Sequence, residues 1–343
     1  METVWFALVA VMIAVYVVLD GFDIGVGIIH LLIARSDADR RTVLASIGPV
    51  WDGNEVWLLA GGGTLYFAFP ALYASSFSGF YLPLMMVLWL LILRGISIEF
   101  RNHLDTLVWQ PLWDTIFCGA SALLAIFFGA ALGNVVRGVP LDQAGEFFLP
   151  LWTDFNPGKN PGILDWYTVL VAVVALFALT VHGALWVALK TEGDVHHRAR
   201  DVAKQVWWAL GGGVIAITLA SFTIQPHLKQ SYAERPWGYI FPLLALVGLI
   251  GMRLWDGRRQ GLDAFLCSCL FLLGMLVSVA FGLYPYVLPA NSDPTLSLTV
   301  GNTAAAPYGL RVGLYWFIPG LLLTTGYFVY TYRNFAGKVR TAG

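Results

Sequence analysis

Hydrophobic residues run along this chain in long blocks, and polar residues are mostly confined to the connections between them. Blocks long enough to cross about 30 Å of hydrocarbon fall at 4–33, 49–71, 77–98, 113–136, 164–189, 204–225, 238–255, 262–288 and 309–332. The pattern predicts an all-α polytopic membrane protein with nine transmembrane helices. No linker rich in Pro, Gly or Ser divides the chain, and no internal repeat or low-complexity segment is visible, so residues 1–343 read as a single transmembrane domain.

Composition agrees with this reading. The chain is 58% hydrophobic and 12% charged, against about 25% charged in soluble domains. It has no basic patch suited to nucleic acid, which is excluded as a partner. Cys118, Cys267 and Cys269 lie in apolar runs without a CxxC or haem-attachment pattern and read as packing residues. Met1, Glu2 and Thr3 lack the basic start of a signal peptide, so the first span is expected to be retained. Trp5, Trp152, Trp166, Trp237 and Trp316 stand near span ends, as an interfacial aromatic belt would.

Lys and Arg orient the chain. Connections after spans 1, 3, 5, 7 and 9 hold Arg35, Arg40, Arg41, Arg101, Lys190, Arg198, Arg200, Lys204, Arg253, Arg258, Arg259, Arg333, Lys338 and Arg340, whereas the opposite side holds Arg137, Lys159, Lys229, Arg235 and Arg311. The bias predicts an N-terminus outside and a C-terminus in the cytoplasm.

The remaining cation, Arg94, lies within span 3 at the end of an apolar run. A charge near the bilayer centre costs about 2.5–3.5 kcal/mol on insertion scales, so Arg94 needs an acid. Spans 1 and 2 offer Asp20, Asp23, Asp52 and Glu55. Asp20 and Asp23 share one helix face, with Gly21, Gly25 and Gly27 nearby to admit another helix closely. A kinked helix with acids reaching back to the interface is the competing reading. Span 2 opens with Pro49, Trp51, Asp52, Asn54, Glu55 and Trp57, a dense polar and aromatic cluster. Its acids fit either a functional role or simple favour at a helix N-terminus. Glu99 stands five residues beyond Arg94, about 140° around the helix, so the two do not pair ideally. Glu99 and Arg101 can also reach the interface by snorkelling. A row of acids with one arginine suits either proton uptake or a buried ion pair that fixes helix register.

Of six histidines, only His182 is clearly within a span. Haem ligation and a hydrogen bond to a neighbouring helix both remain open for it. No HxxxH, ExxH or CxxCH pattern occurs, so the chain alone is expected to hold no metal and no redox centre.

The runs from Asp20 to Gly27 and from Gly48 to Trp57, together with Phe77 through Arg94 to Glu99, resemble subunit II of cytochrome bd-type quinol oxidases. The resemblance implies two four-helix bundles plus a peripheral helix, here about 1–136, 164–288 and 309–332. It implies a partner, subunit I, that carries two b-type haems, haem d and the quinol site, and in some complexes a small single-span subunit. It further implies quinol oxidation and O2 reduction to water in the bacterial cytoplasmic (inner) membrane, with cytoplasmic proton uptake and room for a structural quinone. Carried onto this chain, the family's residues are Asp20, Asp23, Asp52 and Arg94. Glu55 and Glu99 stand where many members carry Gln and Asp, and with a modest outside loop after span 6 they resemble the cyanide-insensitive branch. The expected function is that of a haem-free oxidase subunit. A proton-coupled secondary transporter and a purely structural assembly subunit are the rival readings.

Overall fold

Backbone polar groups find no water in a bilayer, so apolar blocks close their hydrogen bonds internally as helices. The structure, a computed structural model, describes residues 1–104, 106–158, 160–255 and 261–339. In chain order its helices are α1 (Glu2–Ile33), α2 (Asp37–Ala45), α3 (Trp51–Ala68), α4 (Pro70–Gly79), α5 (Tyr81–Phe100), α6 (Trp109–Arg137), α7 (Trp166–Lys190), α8 (Gly193–Ile224), α9 (His227–Glu234), α10 (Ile240–Leu254), α11 (Leu262–Leu283), α12 (Val300–Thr303) and α13 (Pro307–Asn334). Among the described residues, eight helices have the length and apolar composition to cross a membrane. The block expected as span 2 forms α3, whose apolar character is diluted by Asp52, Asn54, Glu55 and the glycines 61–63. Of the cations used to orient the chain, Lys159, Arg258, Arg259 and Arg340 lie outside the described residues.

Lipid tails are as apolar as leucine, so close packing has to hold such helices together. α1 is the hub: it packs on α3, α6, α7 and α11, while α7 also meets α6, α8 and α11. The α1–α7 crossing is built on Gly25 and Gly183. A Cβ at Gly25 would stand 2.0 Å from the Leu179 carbonyl oxygen, and one at Gly183 would stand 2.2 Å from the Gly25 carbonyl carbon. Gly27 makes room in the same way for Ser121 of α6. The glycines of α1 therefore meet α6 and α7, while its two acids reach α3 and α5.

α13 stands at the periphery, with Leu310 as its sole buried residue among those described. Its anchors are few. Trp5 Nε1 donates to the Leu310 carbonyl at 3.0 Å, Phe317 meets the Trp5 ring, and Phe328 meets Trp57. Beyond its end, the chain straps the C-terminus of α7. Lys338 Nζ donates to the carbonyls of Ala188 (3.0 Å) and Thr191 (2.8 Å), the Val339 N–H donates to the Lys190 carbonyl, and Lys190 Nζ donates to the Phe335 carbonyl while lying over that ring. Orphan carbonyls at a helix end are thus satisfied by the tail.

Several expectations need correction. Trp5 is no belt residue: it is 2% exposed, wedged between Phe67 and Phe317. The block at 77–98 is not one helix. It starts in α4 and breaks at Phe80, and α5 continues from Tyr81. The block at 262–288 stops being helical at Leu283. Pro285 has no N–H to continue the ladder, and the Tyr284 carbonyl is taken by Arg235 and His227 side chains. Residues Tyr286–Leu288 instead form β1, antiparallel to β2 (Leu298–Thr299). α8 starts at Gly193, about three turns before the predicted 204, because its first turns are charged and escape an apolar-block reading.

Candidate functional site

α1, α3 and α5 bring the predicted acids and arginine to one buried locus. Arg94 is fully buried. Its NH1 donates to Asp20 Oδ1 at 2.7 Å and its NH2 to Glu55 Oε2 at 2.9 Å. Asp20 and Asp23 are both buried, and Glu55 is partly open to solvent. Two acids from different helices therefore share one guanidinium, whose planar fork suits such pairing. Asp23 follows a separate path. Its Oδ2 accepts from Asn54 Nδ2 at 2.7 Å, and the same amide nitrogen donates to the Leu19 carbonyl at 3.3 Å. Asn54 Oδ1 accepts from the Tyr332 hydroxyl of α13 at 2.8 Å. Asp20 Oδ2, Asp23 Oδ1 and the Tyr16 hydroxyl are buried with no protein hydrogen bond.

Asp52 and Glu99 do not join this ion cluster. Both are exposed, and both line a cavity of about 520 Å³ together with Trp51, Asn54, Thr331 and Tyr332. Asp52 and Glu55 are three residues apart at the start of α3, and only Glu55 reaches Arg94. Trp51 is half-buried beside Gly95, while Trp57 is buried against Tyr16, Met12 and Phe328. The cavity thus borders the polar chain at Asn54 and Tyr332, with two carboxylates on its wall.

Sequence reasoning missed a second ion cluster on the α2 side. Asp114 accepts from Arg101 Nε (2.7 Å), Arg40 NH1 (3.0 Å) and His30 Nε2 (2.7 Å), and Arg101 NH2 reaches Asp37 at 2.6 Å. Arg101 is 1% exposed, so it does not snorkel. The available signal was Asp114, an acid at the start of an apolar block, and His30 at the end of another. The hydrogen bond from Arg101 holds the Asp37 carboxyl below the usual carboxylate range. A lowered folded-state pKa gives stability that is present above the unfolded value of about 3.9 and is lost as pH falls through the folded one. Asp37→Asn should lower the thermal midpoint of the solubilised protein at neutral pH. As pH falls through the lowered folded-state pKa of Asp37, the two proteins should converge, since the carboxyl is then protonated in both states.

A third buried pair, Arg137 with Asp165, is completed by Asn134 Oδ1, which accepts from Arg137 NH2 at 2.6 Å. Arg137 had been read only as an outside charge. His182 is fully committed to neighbouring helices, with Nδ1 2.7 Å from Ser268 Oγ and Nε2 2.9 Å from the Val18 carbonyl. Neither ring nitrogen is free to ligate a haem iron. Among the described residues no group of three His, Cys, Asp or Glu side chains is arranged to hold a metal ion.

Comparison with known proteins gives a consistent picture. The family model described as cytochrome bd terminal oxidase subunit II matches residues 1–335. The chain is 31% identical to a probable cytochrome oxidase subunit 2 of Haemophilus influenzae, across 98% of this chain and 94% of that one. It is 30% identical to cytochrome bd ubiquinol oxidase subunit 2 of Bacillus subtilis, across 91% and 89% of the two chains. It is 28% identical to cytochrome bd-I ubiquinol oxidase subunit 2 of Escherichia coli K12, across 94% and 92%. The fold is similar to that of a chain in the bd oxidase structure from Geobacillus thermodenitrificans, with a TM-score of 0.76 at 16% identity, covering 97% of this chain and 98% of that one.

Proposed function

The chain belongs to the cytochrome bd terminal oxidase subunit II family, and on that premise we propose that it is the haem-free subunit of a quinol:oxygen oxidoreductase, with buried acids that carry protons for water formation. It works in the bacterial cytoplasmic membrane beside a subunit I that holds two b-type haems, haem d and the quinol site. A small single-span subunit and a structural quinone belong to the same reading. The Lys and Arg bias supports a cytoplasmic α2 side, and on that orientation the cavity bearing Asp52 and Glu99 opens toward the proton source.

The observation that carries this reading is the graded burial of carboxylates from the cavity wall to the Arg94 cluster. Asp52 and Glu99 are exposed on this chain, Glu55 is half-buried, and Asp20 and Asp23 are fully buried. Each buried acid keeps one oxygen free of protein donors, where a proton can bind. Arg94 keeps a fixed positive charge between Asp20 and Glu55, so a proton arriving on one carboxylate leaves the guanidinium to the other. The haems supply the electron chemistry from the partner subunit; this chain binds, orients and passes protons.

The same geometry also suits a lock that fixes the register of α1, α3 and α5, which supports the structural reading as the alternative. Family membership gives the transporter reading no support. Asp23→Asn and Asp52→Asn in the assembled oxidase separate the two. The expected result is full haem content with quinol oxidation slowed about tenfold or more in Asp23→Asn and less in the solvent-facing Asp52→Asn. Wild-type turnover in both would exclude the proton route. Loss of haem in both would leave the acids as assembly elements.

A further inference from the structure

We infer that Tyr332 is a positioning residue for Asp23, acting through the Asn54 amide, and that the C-terminal strap holds it there. The inference rests on the reading of Asp23 as a proton-carrying group. Most of α13 is exposed on this chain, yet near its end Tyr332 turns inward against Trp186 and Phe328. An amide oxygen only accepts, so the 2.8 Å contact makes the Tyr332 hydroxyl the donor. Asn54 is fully buried, and its NH2 serves Asp23 Oδ2 and the Leu19 carbonyl. A flipped amide would set Oδ1 against those two acceptors and leave its NH2 facing a hydroxyl. Asp23 and the Leu19 carbonyl therefore fix the amide orientation, and the Tyr332 hydroxyl anchors the amide oxygen at the opposite end.

Two consequences follow from that orientation. Asp23 Oδ2 is held by a neutral donor, which leaves Oδ1 as the oxygen without a protein partner. Tyr332 also lines the cavity that holds Asp52 and Glu99, so a single side chain connects the water-facing carboxylates to the buried one. With the hydroxyl removed, Asn54 Oδ1 becomes a buried acceptor without a protein donor, the amide is held from one end only, and its hold on Asp23 loosens. The strap matters because α13 has few other anchors near this end. Lys338 and Val339 bind the last carbonyls of α7, a few residues beyond Tyr332.

The test uses the assembled two-subunit oxidase with Tyr332→Phe, Asp23→Asn and the double variant. Tyr332→Phe should keep its haem spectrum and oxidise quinol about five- to tenfold more slowly. In redox-induced infrared difference spectra, the carboxyl C=O band that disappears in Asp23→Asn should shift in Tyr332→Phe. On the Asp23→Asn background, Tyr332→Phe should slow turnover no further. Wild-type turnover with an unshifted band overturns the inference, as does equal slowing on both backgrounds. Loss of haem from Tyr332→Phe also overturns it, because the hydroxyl would then serve assembly. Wild-type turnover in Asp23→Asn would instead sink the proton-carrying reading, and the band shift alone would then decide the positioning role.

Discussion

Arg94→Leu is expected to destabilise the folded chain by about 3–5 kcal/mol and to abolish assembly of an active oxidase. The cost arises because Asp20, fully buried, loses the donor that its Oδ1 holds at 2.7 Å, while Glu55 loses the other half of the fork. Neutralising the stranded acids should recover much of the loss. The triple variant Arg94→Leu, Asp20→Asn, Glu55→Gln should fold close to the parent, since replacing a whole buried ion group is often near neutral whereas breaking it is not. Thermal unfolding and haem content of the purified complex measure both statements. Equal stability of parent and Arg94→Leu would show that the pair is not buried as described.

Gly25→Leu is expected to prevent α1 from docking on α7, leaving little folded protein. Overpacking a core costs about 1–3 kcal/mol where side chains can yield. Here even a Cβ would lie 2.0 Å from the Leu179 carbonyl oxygen and 2.7 Å from the Gly183 nitrogen, and backbone cannot swing aside. Gly25→Ala should already separate the helices. Gly62→Ala is the control, because nothing stands within 4 Å of a Cβ there, and alanine raises helix propensity by about 1 kcal/mol over glycine. Folded yield of the two alanine variants in detergent measures the contrast; similar yields would refute a tight crossing.

Arg94 and its acids were legible because a charge in an apolar block is costly enough to demand a partner. The choice between Asp52 and Glu55 was not. They sit in one turn of α3, and which of them faces Arg94 depends on a helix rotation that only packing sets. Tyr332 was hidden for a different reason: a tyrosine near the end of a span looks like an interfacial aromatic, and its partner lies 278 residues away in sequence. Arg101 was misjudged because snorkelling and burial leave the same trace in sequence, and Asp114 separates them only once α5 and α6 are side by side. Gly25 drew attention as part of a glycine-rich run. Gly183, its contact, is a lone glycine in an apolar block and carries no comparable mark. The break between α4 and α5 went unseen because the apolar block begins at Phe77, inside the last turn of α4, and Phe77 and Phe80 let Ser78 and Gly79 pass as part of it.

The α1–α7 crossing also sets a timetable for biogenesis. The first helix leaves the ribosome well before the segment that seats against Gly25, with roughly 160 residues between the contact partners, or about 8–30 s of synthesis at 5–20 residues per second. Through that interval one flank of the first helix stays open to lipid or to insertion machinery. A nascent chain arrested before Trp166 would display this bare glycine flank, which is where a membrane chaperone or quality-control protease could distinguish unfinished molecules from finished ones.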